Sequence, residues 1–420
     1  MQFEDRWMSA QHVSHKLLIA IAHPGRQHSH QAALALQNEG LLTRYWSGIP
    51  CSDVYDSIIP GFLKGRLLKH GIFPLREELC RWVPIAPLLR KPAEMLLDRK
   101  MAKYFEYLGY SQFDRYVARQ LRQIDCDAVI AYENSAVNTF REAKRRGMIT
   151  ILDAASFHHQ AQDRLHGYVE SESLHRKIAV TKDEEINLAD YVITVSDLAR
   201  QTYLDAGIPA DKVFSLMIGS DIDLFVPGVD IPRDDYVNFI FCGSIIMRKG
   251  VDLLLAACKK IAEEKRMFRM RFIGGPGEAT PLLEKNLSNT VTCGGLISQQ
   301  QLVREYQQAD CLILPSLNDS FGMAVTEALA CGVPVIVSDM VGAKDLVHEG
   351  KNGWVIPVKD VDALVERMTW CIENKVALRQ MRSDARASSL EVTWQAYHSR
   401  LLHFIKQEVF SDHLEVHDVH

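Results

Sequence analysis

Two carboxylates stand on either side of a short loop in the stretch SLNDSFGMAVTEALACG, and their placement suits the binding of a polyhydroxylated ligand. Asp319 comes just before the Phe321-Gly322 pair, and Glu327 follows within a run of small residues that predicts a helix. The first N–H groups of a helix have no partner inside it, so those of Phe321, Gly322 and Met323 would attract a phosphate or a polar sugar. Glu327 would lie about a turn and a half further along. Its carboxylate can accept two hydrogen bonds from a diol such as a ribose, while Asp319 can hold hydroxyls of a second sugar.

The same two acids also have a plainer interpretation, which their spacing does not exclude. Asp319 can be the N-cap of the predicted helix, and Glu327 can be a solvated helix residue. Acidic residues are common in the first turns of helices, because they accept hydrogen bonds from the free N–H groups there and complement the helix dipole.

The elements that must position these residues are strands that alternate with helical patterns along most of the chain. The predicted strands are KLLIAIAH, DAVIAYE, MITILDA, DYVITVS, VNFIFCGS, FRMRFIG, TVTCGG, DCLILP, VPVIVS and GWVIPV. A stretch rich in Pro, Gly and Asp, GSDIDLFVPGVDIPRDD, separates the first four strands from the last six and reads as a linker. This alternation predicts an α/β fold with two Rossmann-like domains of parallel sheet and a cleft between them. The acids then lie at the carboxyl ends of strands, where open α/β sheets bind ligands.

Composition limits the possible classes of protein. The 420 residues suffice for two ordinary domains, and 47% hydrophobic with 24% charged residues is typical of a soluble globular protein. The net charge of -5 is not the overall excess of positive charge that is typical of proteins that bind nucleic acid. The nine cysteines form no C-x-x-C pair, which favours free thiols in a reducing compartment. The N-terminus lacks the apolar core of a secretory signal, and no apolar run approaches the roughly 20 residues of a membrane-spanning helix. The expected location is therefore cytoplasmic.

Several stretches together resemble glycosyltransferase family 4, whose acid pair has the pattern E-x7-E. They are CGSIIMRKGVDLLLAA, FRMRFIGGPG, QLVREYQQADCLILPSLNDSFGMAVTEALACGVPVIVSDMVG and DLVHEGKNGWVIPVKDVDAL. The resemblance is good from about residue 184 to 372 and weak before that. It implies the GT-B fold and transfer of a sugar, with retention of anomeric configuration, from a nucleoside-diphosphate sugar of the UDP or GDP type. It implies no metal and no further cofactor.

The resemblance also assigns roles to individual residues. Catalytic roles fall to His158, Asp319, Lys249 and Arg248. Donor-binding roles fall to Gly243, Ser244, Gly274, Gly295, Leu296, Phe321, Gly322, Met323 and Glu327. In this scheme Glu327 binds the ribose, Asp319 binds the transferred sugar, and the cations clamp the diphosphate. The base rests on the loop around residues 293–296, which does not discriminate uracil from guanine.

Two positions depart from the family pattern. Asp319 stands where the family usually has Glu, so the carboxylate is one methylene, about 1.5 Å, further from the sugar. Ser244 stands where an Arg is usual, and Arg248 beside Lys249 would supply the missing charge. The alternative for the stretch MRKG is a solvated basic turn.

The first domain is expected to face the acceptor. His23 and Gly25 follow the first strand in AHPGRQHSH, and His23 is either a polar contact in the cleft or a structural histidine at the end of a strand. In LDAASFHHQAQ, His158 fits a donor-sugar contact better than His159, whereas a lone histidine would more often be structural. The leaving phosphate, rather than His158, can take the acceptor proton.

Residues 61–123 hold thirteen Lys and Arg against six Asp and Glu, interleaved with apolar residues that include Phe73 and Trp82. Such a segment either lies on an anionic membrane surface or is an ordinary solvated helical insertion. No motif supports nucleic acid as the partner. The histidines in the tail SDHLEVHDVH suggest either a metal site or, more simply, a frayed terminus.

These observations predict three parts of the chain. Residues 1–215 form the acceptor-side domain, residues 216–390 the nucleotide-sugar domain, and residues 391–420 a helix returning to the first domain and a tail. The predicted protein is a retaining glycosyltransferase acting on a glycan or lipid-linked acceptor in bacterial surface polysaccharide synthesis, cytoplasmic or peripheral on the inner face of the plasma membrane. The pattern after Asp310 argues against a nucleotide-sugar epimerase or a phosphorylase. Because Asp319 and Ser244 depart from the family pattern, they leave an alternative open. In this alternative the protein is a catalytically weak family member that acts as a membrane-associated binding partner.

Overall fold

Two parallel β-sheets form the framework of the molecule. The computed structural model describes residues 17–50, 74–166, 172–229 and 235–410. The first sheet contains β1 (Ile19–His23), β2 (Leu42–Ser47), β3 (Cys80–Trp82), β4 (Ala128–Tyr132), β5 (Ile149–Ala154), β6 (Tyr191–Thr194) and β7 (Val213–Ser215). The second contains β8 (Val237–Cys242), β9 (Phe268–Ile273), β10 (Val291–Gly295), β11 (Cys311–Leu314), β12 (Val335–Ser338) and β13 (Gly353–Ile356). The strand orders are 3-2-1-4-5-6-7 and 10-9-8-11-12-13.

Helices connect the strands and cover both faces of each sheet. In the first part of the chain they are α1 (Ser29–Asn38), α2 (Ile85–Leu96), α3 (Arg99–Leu121), α4 (Val137–Arg145), α5 (His159–His166), α6 (Glu172–Leu188) and α7 (Asp197–Leu204). In the remainder they are α8 (Val251–Glu263), α9 (Thr280–Lys285), α10 (Gln299–Gln308), α11 (Met323–Ala330), α12 (Val361–Glu373), α13 (Lys375–Gln380), α14 (Arg382–Ser389) and α15 (Trp394–Phe404). Strands followed by helices and joined in parallel are the expected Rossmann-like arrangement, which the topology confirms.

The central strands are apolar because helices bury both of their faces. In β1, Ile19 and Ile21 point into one core, whereas Ala20 and Ala22 point into a second core on the opposite face of the sheet. A strand buried on both faces has a continuous apolar sequence rather than an alternating one, which explains why the run containing β1 was recognisable.

The strand order fixes where ligands can bind. In each sheet the first strand lies between the second strand and the fourth, and the winding direction reverses there. Open α/β sheets bind ligands beyond the carboxyl ends of the strands at such a reversal. His23 ends β1 at one reversal, and Gly243 follows β8 at the other.

All ten predicted strands are present, but three strands were not predicted. β2 has Arg44 in its middle and does not read as an apolar run. β3 and β7 contain three residues each and lie at the two edges of their sheet. Edge strands this short form because a neighbouring strand offers free backbone groups, so their own residues carry little signal.

The chain crosses between the two sheets twice, at adjacent points. The first crossing follows β7, and the second follows α14. The Ser220 N–H donates to the Val392 carbonyl at 2.8 Å, and a Cβ on Gly219 would lie 2.5 Å from the Thr393 backbone. The two crossings therefore run in direct contact.

Helix α15 returns to the first domain, where its residues contact α1. His398 Nε2 lies 2.8 Å from Gln31 Oε1, and further on Lys406 Nζ donates to Glu39 at 2.9 Å. In the described ranges, no helix is long and apolar enough to span a bilayer. Phe73, with part of the basic segment, and the three tail histidines lie outside the described residues.

Candidate active site

The loop between β11 and α11 is held by backbone pairing and by a glycine. Asp319 forms a parallel bridge with Val341, and its carbonyl accepts the Gly342 N–H at 2.9 Å. Gly322 is the N-cap of α11 with φ 91°, and no side chain caps the helix. Asp319 is therefore not an N-cap, and the plainer interpretation of this residue is wrong.

Glu327 is a largely buried carboxylate rather than a solvated one. The hydroxyl of Tyr306, which lies in α10, donates a hydrogen bond to Glu327 Oε2 at 3.0 Å. Burial raises the pKa of Glu327 to about 7, although the Tyr306 hydrogen bond acts to lower it. The solvated interpretation of Glu327 is thus also wrong. Tyr306 was not predicted from the sequence, because nothing in its own helix marks it as the partner of a distant acid.

The basic turn after β8 packs against the same loop. Lys249 Nζ forms a largely buried ion pair with the Asp319 carboxylate. Arg248 Nη1 donates to the Asn318 carbonyl at 2.7 Å, and the Arg248 carbonyl accepts the Leu317 N–H at 2.8 Å. The interpretation of MRKG as a solvated turn is therefore wrong. Arg248 anchors the loop that carries Asp319, whereas its contact with a phosphate stays a prediction.

The predicted donor-binding glycines line the carboxyl ends of three neighbouring strands. Gly243 donates to the Ile273 carbonyl at 2.9 Å, and Gly274 donates to the Gly295 carbonyl at 2.9 Å. Ser244 and Leu296 are exposed beside them. The loops after β8, β9 and β10 thus form one continuous rim, next to the turn that carries Lys249.

His23 lies at the carboxyl edge of the first sheet, as expected from its place after β1. Its ring stacks on Tyr132 with centroids 4.0 Å apart, and its Nδ1 accepts the Gly25 N–H at 2.9 Å. Its Nε2 is buried and has no hydrogen-bond partner within the described residues. Burial lowers the pKa of His23 to about 3, so the ring is neutral at physiological pH. A neutral ring with one satisfied nitrogen can still bind a ligand through the other.

His158 is only 2% exposed. Its ring packs edge-on against Tyr203 with centroids 5.1 Å apart, and its backbone N–H donates to Thr202 Oγ1 at 2.9 Å. Burial and the adjacent His159 lower the pKa of His158 to about 4. His158 is therefore neutral near pH 7. Its contact with a donor sugar stays a prediction.

His159 differs from His158 in having a carboxylate partner. Its Nε2 lies 2.7 Å from Asp183 Oδ1. Ligand atoms of His158, His159 and Asp183 lie within 4.8 Å of one another, which is close enough to hold a metal ion. The hydrogen bond between His159 and Asp183 already accounts for two of the three. In the linker between the sheets, the Asp221 carboxylate accepts the Leu224 N–H at 3.0 Å and closes a turn.

A histidine–carboxylate pair at the first sheet was not predicted. His28 Nε2 lies 3.2 Å and 3.0 Å from the two carboxylate oxygens of Asp153, and both residues are buried. Burial acts to lower the pKa of His28, but the charge and hydrogen bond of Asp153 raise it above its ordinary value. The two residues are 125 positions apart, so only the fold reveals that they meet.

The two domains meet at Ser320, inside the acid-bearing loop. Its hydroxyl donates to the Ala155 carbonyl at 2.7 Å, and its carbonyl accepts the Ser196 hydroxyl at 2.5 Å. Ala155 lies just before His158 in the chain. The loop with Asp319 therefore touches the segment with His158 directly.

Comparison with known proteins gives three findings. Residues 230–388 match the family model described as glycosyl transferases group 1. The chain is 28% identical over 189 residues to the putative colanic acid biosynthesis glycosyltransferase WcaL of Escherichia coli K12, covering 43% of this chain and 47% of that protein. It is 27% identical over 289 residues to a D-inositol 3-phosphate glycosyltransferase of Thermomonospora curvata, covering 62% of this chain and 66% of that protein. The chain thus spans about half to two thirds of the length of these curated relatives.

Solved structures resemble the chain over almost its whole length. Sucrose-phosphate synthase (tll1590) from Thermosynechococcus elongatus superposes with a TM-score of 0.72 at 19% identity, covering 94% of this chain and 100% of that one. Alr3699/HepE from Anabaena, in complex with UDP, superposes with a TM-score of 0.64 at 15% identity and the same coverage. These similarities establish the GT-B fold. Residues 230–388, which match the glycosyl transferases group 1 model, contain the second sheet of a chain with the GT-B fold.

Proposed function

We propose that the protein is a retaining glycosyltransferase that moves a sugar from a nucleoside-diphosphate sugar to a glycan or lipid-linked acceptor. One observation carries the proposal: Lys249, Asp319 and the N-terminus of α11 meet at the carboxyl edge of the second sheet, with Glu327 further along the same helix. The set offers one cation, two carboxylates and a helix N-terminus. A donor sugar, a diphosphate and a ribose require this combination of groups.

The ion pair between Lys249 and Asp319 gives each of these two largely buried charges a partner of opposite sign. When the donor binds, Lys249 can turn to the diphosphate and Asp319 to hydroxyls of the sugar, so that each exchanges one polar partner for another. Negative charge builds on the diphosphate as its bond to the sugar breaks. Lys249 and the N–H groups at the start of α11 stabilise this charge, which is the largest single contribution in many enzymes.

No metal enters this scheme, because the cation and the helix N-terminus supply positive charge to the leaving group. The proton of the acceptor hydroxyl passes to the leaving phosphate. His158, with its lowered pKa, is a weak base and serves as a neutral contact for the sugar. Similarity to the colanic acid relative supports a surface polysaccharide as the end product.

Calorimetry with UDP and with GDP, in the presence of EDTA, tests the donor site. Since UDP occupies the solved Alr3699/HepE, UDP is the first nucleotide to try. We expect one nucleotide to bind, and Glu327→Ala to weaken it at least about tenfold, because hydrogen bonds to a charged group are among the stronger ones. Glu366→Ala is the matched control, since this exposed glutamate lies on α12, away from the described site. Failure of both nucleotides to bind would contradict the proposal.

The alternative, a catalytically weak family member that acts as a binding partner, predicts a different result. Slow hydrolysis of a UDP or GDP sugar without acceptor, lost in Glu327→Ala and retained in Glu366→Ala, identifies an enzyme. Nucleotide binding without any hydrolysis favours the binding partner.

An anionic membrane surface is the second element of the proposal. The hairpin of α2 and α3 exposes a run of large apolar side chains, namely Leu88, Met95, Leu96, Leu97, Met101 and Tyr104. Exposed Lys91, Lys100 and Lys103 stand among them. Arg99, at the start of α3, pairs with Glu278 of the second domain at 3.5 Å, so the tip of the hairpin lies beside the cleft. An apolar face edged by cations at this place suits the headgroup region around a lipid-linked acceptor.

The expected anchors of this surface need a correction. Trp82 does not belong to it, because its indole N–H donates to the Gly48 carbonyl at 3.1 Å and its ring is half-buried. The apolar contribution comes instead from the tip of the α2–α3 hairpin.

A further inference from the structure

Ser320, in the acid-bearing loop, hydrogen-bonds to two separate segments of the first domain. Its hydroxyl donates to Ala155, and its carbonyl accepts from Ser196. Packing at this point is tight. A Cβ on Gly342 would lie 2.1 Å from the Ser320 carbonyl oxygen and 2.5 Å from Ser196 Oγ.

Helix α7 joins these contacts to His158 by a second route. Ser196 is its N-cap and accepts the Ala199 N–H at 3.0 Å while donating to Ser320. Near the other end of the helix, Thr202 Oγ1 accepts the His158 N–H at 2.9 Å. Ser320 is therefore connected to His158 both through the short segment after Ala155 and through α7.

We propose that Ser320 is a positioning residue that fixes the His158 segment relative to Asp319. Both residues belong to the proposed sugar site, so this inference rests on the proposed function. Asp319 and His158 come from different domains, and each can reach one sugar only if the two loops keep a constant separation. The two hydrogen bonds of Ser320 set that separation. A nucleotide that orders the acid-bearing loop therefore also orders the segment that carries His158.

Hydrogen–deuterium exchange of the ligand-free protein tests the first half of the inference. Ser320→Ala removes the bond to Ala155, and we expect exchange in residues 155–160 to become about fivefold faster, the effect of losing one ordinary hydrogen bond. Ser399→Ala is the matched control, because its exposed hydroxyl donates to the Gln395 carbonyl within one helix. Unchanged exchange in residues 155–160 of Ser320→Ala would overturn the proposal.

Gly342→Ala acts on the same junction without removing a hydrogen-bonding group. Its new Cβ would press on the Ser320 carbonyl and on Ser196. We expect it to accelerate exchange in residues 155–160 and 196–202 as well. Faster exchange throughout the molecule would instead indicate a general loss of stability and would count against the proposal.

Addition of UDP or GDP tests the second half. In the wild type we expect the nucleotide to slow exchange both in residues 316–327 and in residues 155–160. In Ser320→Ala the nucleotide should still slow exchange in residues 316–327. Its slowing of residues 155–160 should fall to less than half of the wild-type value, which a purely structural role would not produce. Equal slowing of residues 155–160 in both proteins would overturn the inference. If neither nucleotide slows exchange in residues 316–327 of the wild type, the proposed function is wrong, and the ligand-free comparison still decides the role of Ser320.

Discussion

Glu327 is a partly buried carboxylate with a raised pKa, so under the proposed function nucleotide binding should depend on pH. A ribose diol donates hydrogen bonds, so it binds the ionised carboxylate. With a pKa of about 7, the ionised fraction falls as the pH falls through 7. Between pH 8 and pH 6 the competent fraction drops from about nine tenths to about one tenth, so the apparent affinity should weaken about tenfold. Calorimetric titration with the nucleotide at several pH values measures this.

The terminal phosphate of the nucleotide also titrates, near pH 6, and must be separated from Glu327. Glu327→Gln keeps the contribution of the phosphate and removes that of the carboxylate, so its binding should vary less with pH. In Tyr306→Phe the hydrogen bond that lowers the pKa of Glu327 is lost, so the midpoint should move to higher pH. A wild-type midpoint well below 6 would show that Glu327 is not the titrating group.

The sequence could identify those site residues whose role is indicated by their immediate neighbours in the chain. Asp319, Glu327 and Lys249 stand in short stretches whose spacing predicts a loop, a helix and a turn. Their partners follow only from the fold. Tyr306 reaches Glu327 from a different helix, and Ser320 reaches Ala155 across 165 positions of chain.

The turn between β8 and α8 shows how one glycine positions a cation. Gly250 has φ 73°, and a Cβ there would lie 2.1 Å from the Pro315 carbonyl oxygen. Gly350 has nearly the same φ, 71°, but has no atom within 4 Å of a Cβ. Alanine at Gly350 therefore carries backbone strain alone, about 1 kcal/mol, whereas alanine at Gly250 also displaces the backbone of the acid-bearing loop.

We therefore expect Gly250→Ala to lower the free energy of unfolding by at least about 1 kcal/mol more than Gly350→Ala does. Urea unfolding of both variants gives this difference. Gly250→Ala should also weaken nucleotide binding, because the displaced loop carries Asp319, the partner of Lys249. Equal effects of the two substitutions on stability would mean that the turn and the loop do not press on each other.

Among the elements, the strands that the sequence predicts are those whose two faces have similar surroundings. The central strands have two buried faces and therefore read as apolar runs. β3 and β7 exist because β2 and β6 offer free backbone groups to them, and three residues cannot signal such pairing. The α2–α3 hairpin was foreseen as a basic, apolar segment, but which of its residues face outward depends on how the two helices pack.

For the whole molecule, the hairpin surface predicts binding to anionic vesicles. Met95 is 71% exposed and Leu96 is 80% exposed, so replacing both with Asp should hardly affect folding. Binding to vesicles of mixed neutral and anionic phospholipid should fall at least about tenfold. Two apolar side chains would no longer insert into the membrane, and the two new aspartates would be repelled by the anionic lipid. Co-sedimentation measures the bound fraction.

The matched control for this experiment is Val376→Asp, which alters an apolar side chain that is 72% exposed in the second domain. It should leave vesicle binding unchanged. Added salt should weaken the binding of the wild type, because Lys91, Lys100 and Lys103 contribute through charge. Equal binding by the wild type and the Met95, Leu96 double variant would mean that the hairpin is an ordinary solvated insertion.

The paired crossings between the sheets limit how the two domains can move. A single connecting segment would let one domain swing and twist freely about the other. Here the two segments form one hinge. They are joined by the hydrogen bond between Ser220 and Val392 and by the contact of Gly219 with Thr393. Rotation about the paired crossings is the domain motion that this arrangement favours. When the domains close about the crossings, the hydrogen bonds of Ser320 to Ala155 and Ser196 re-form, and the Asp319 loop returns to the same separation from the His158 segment.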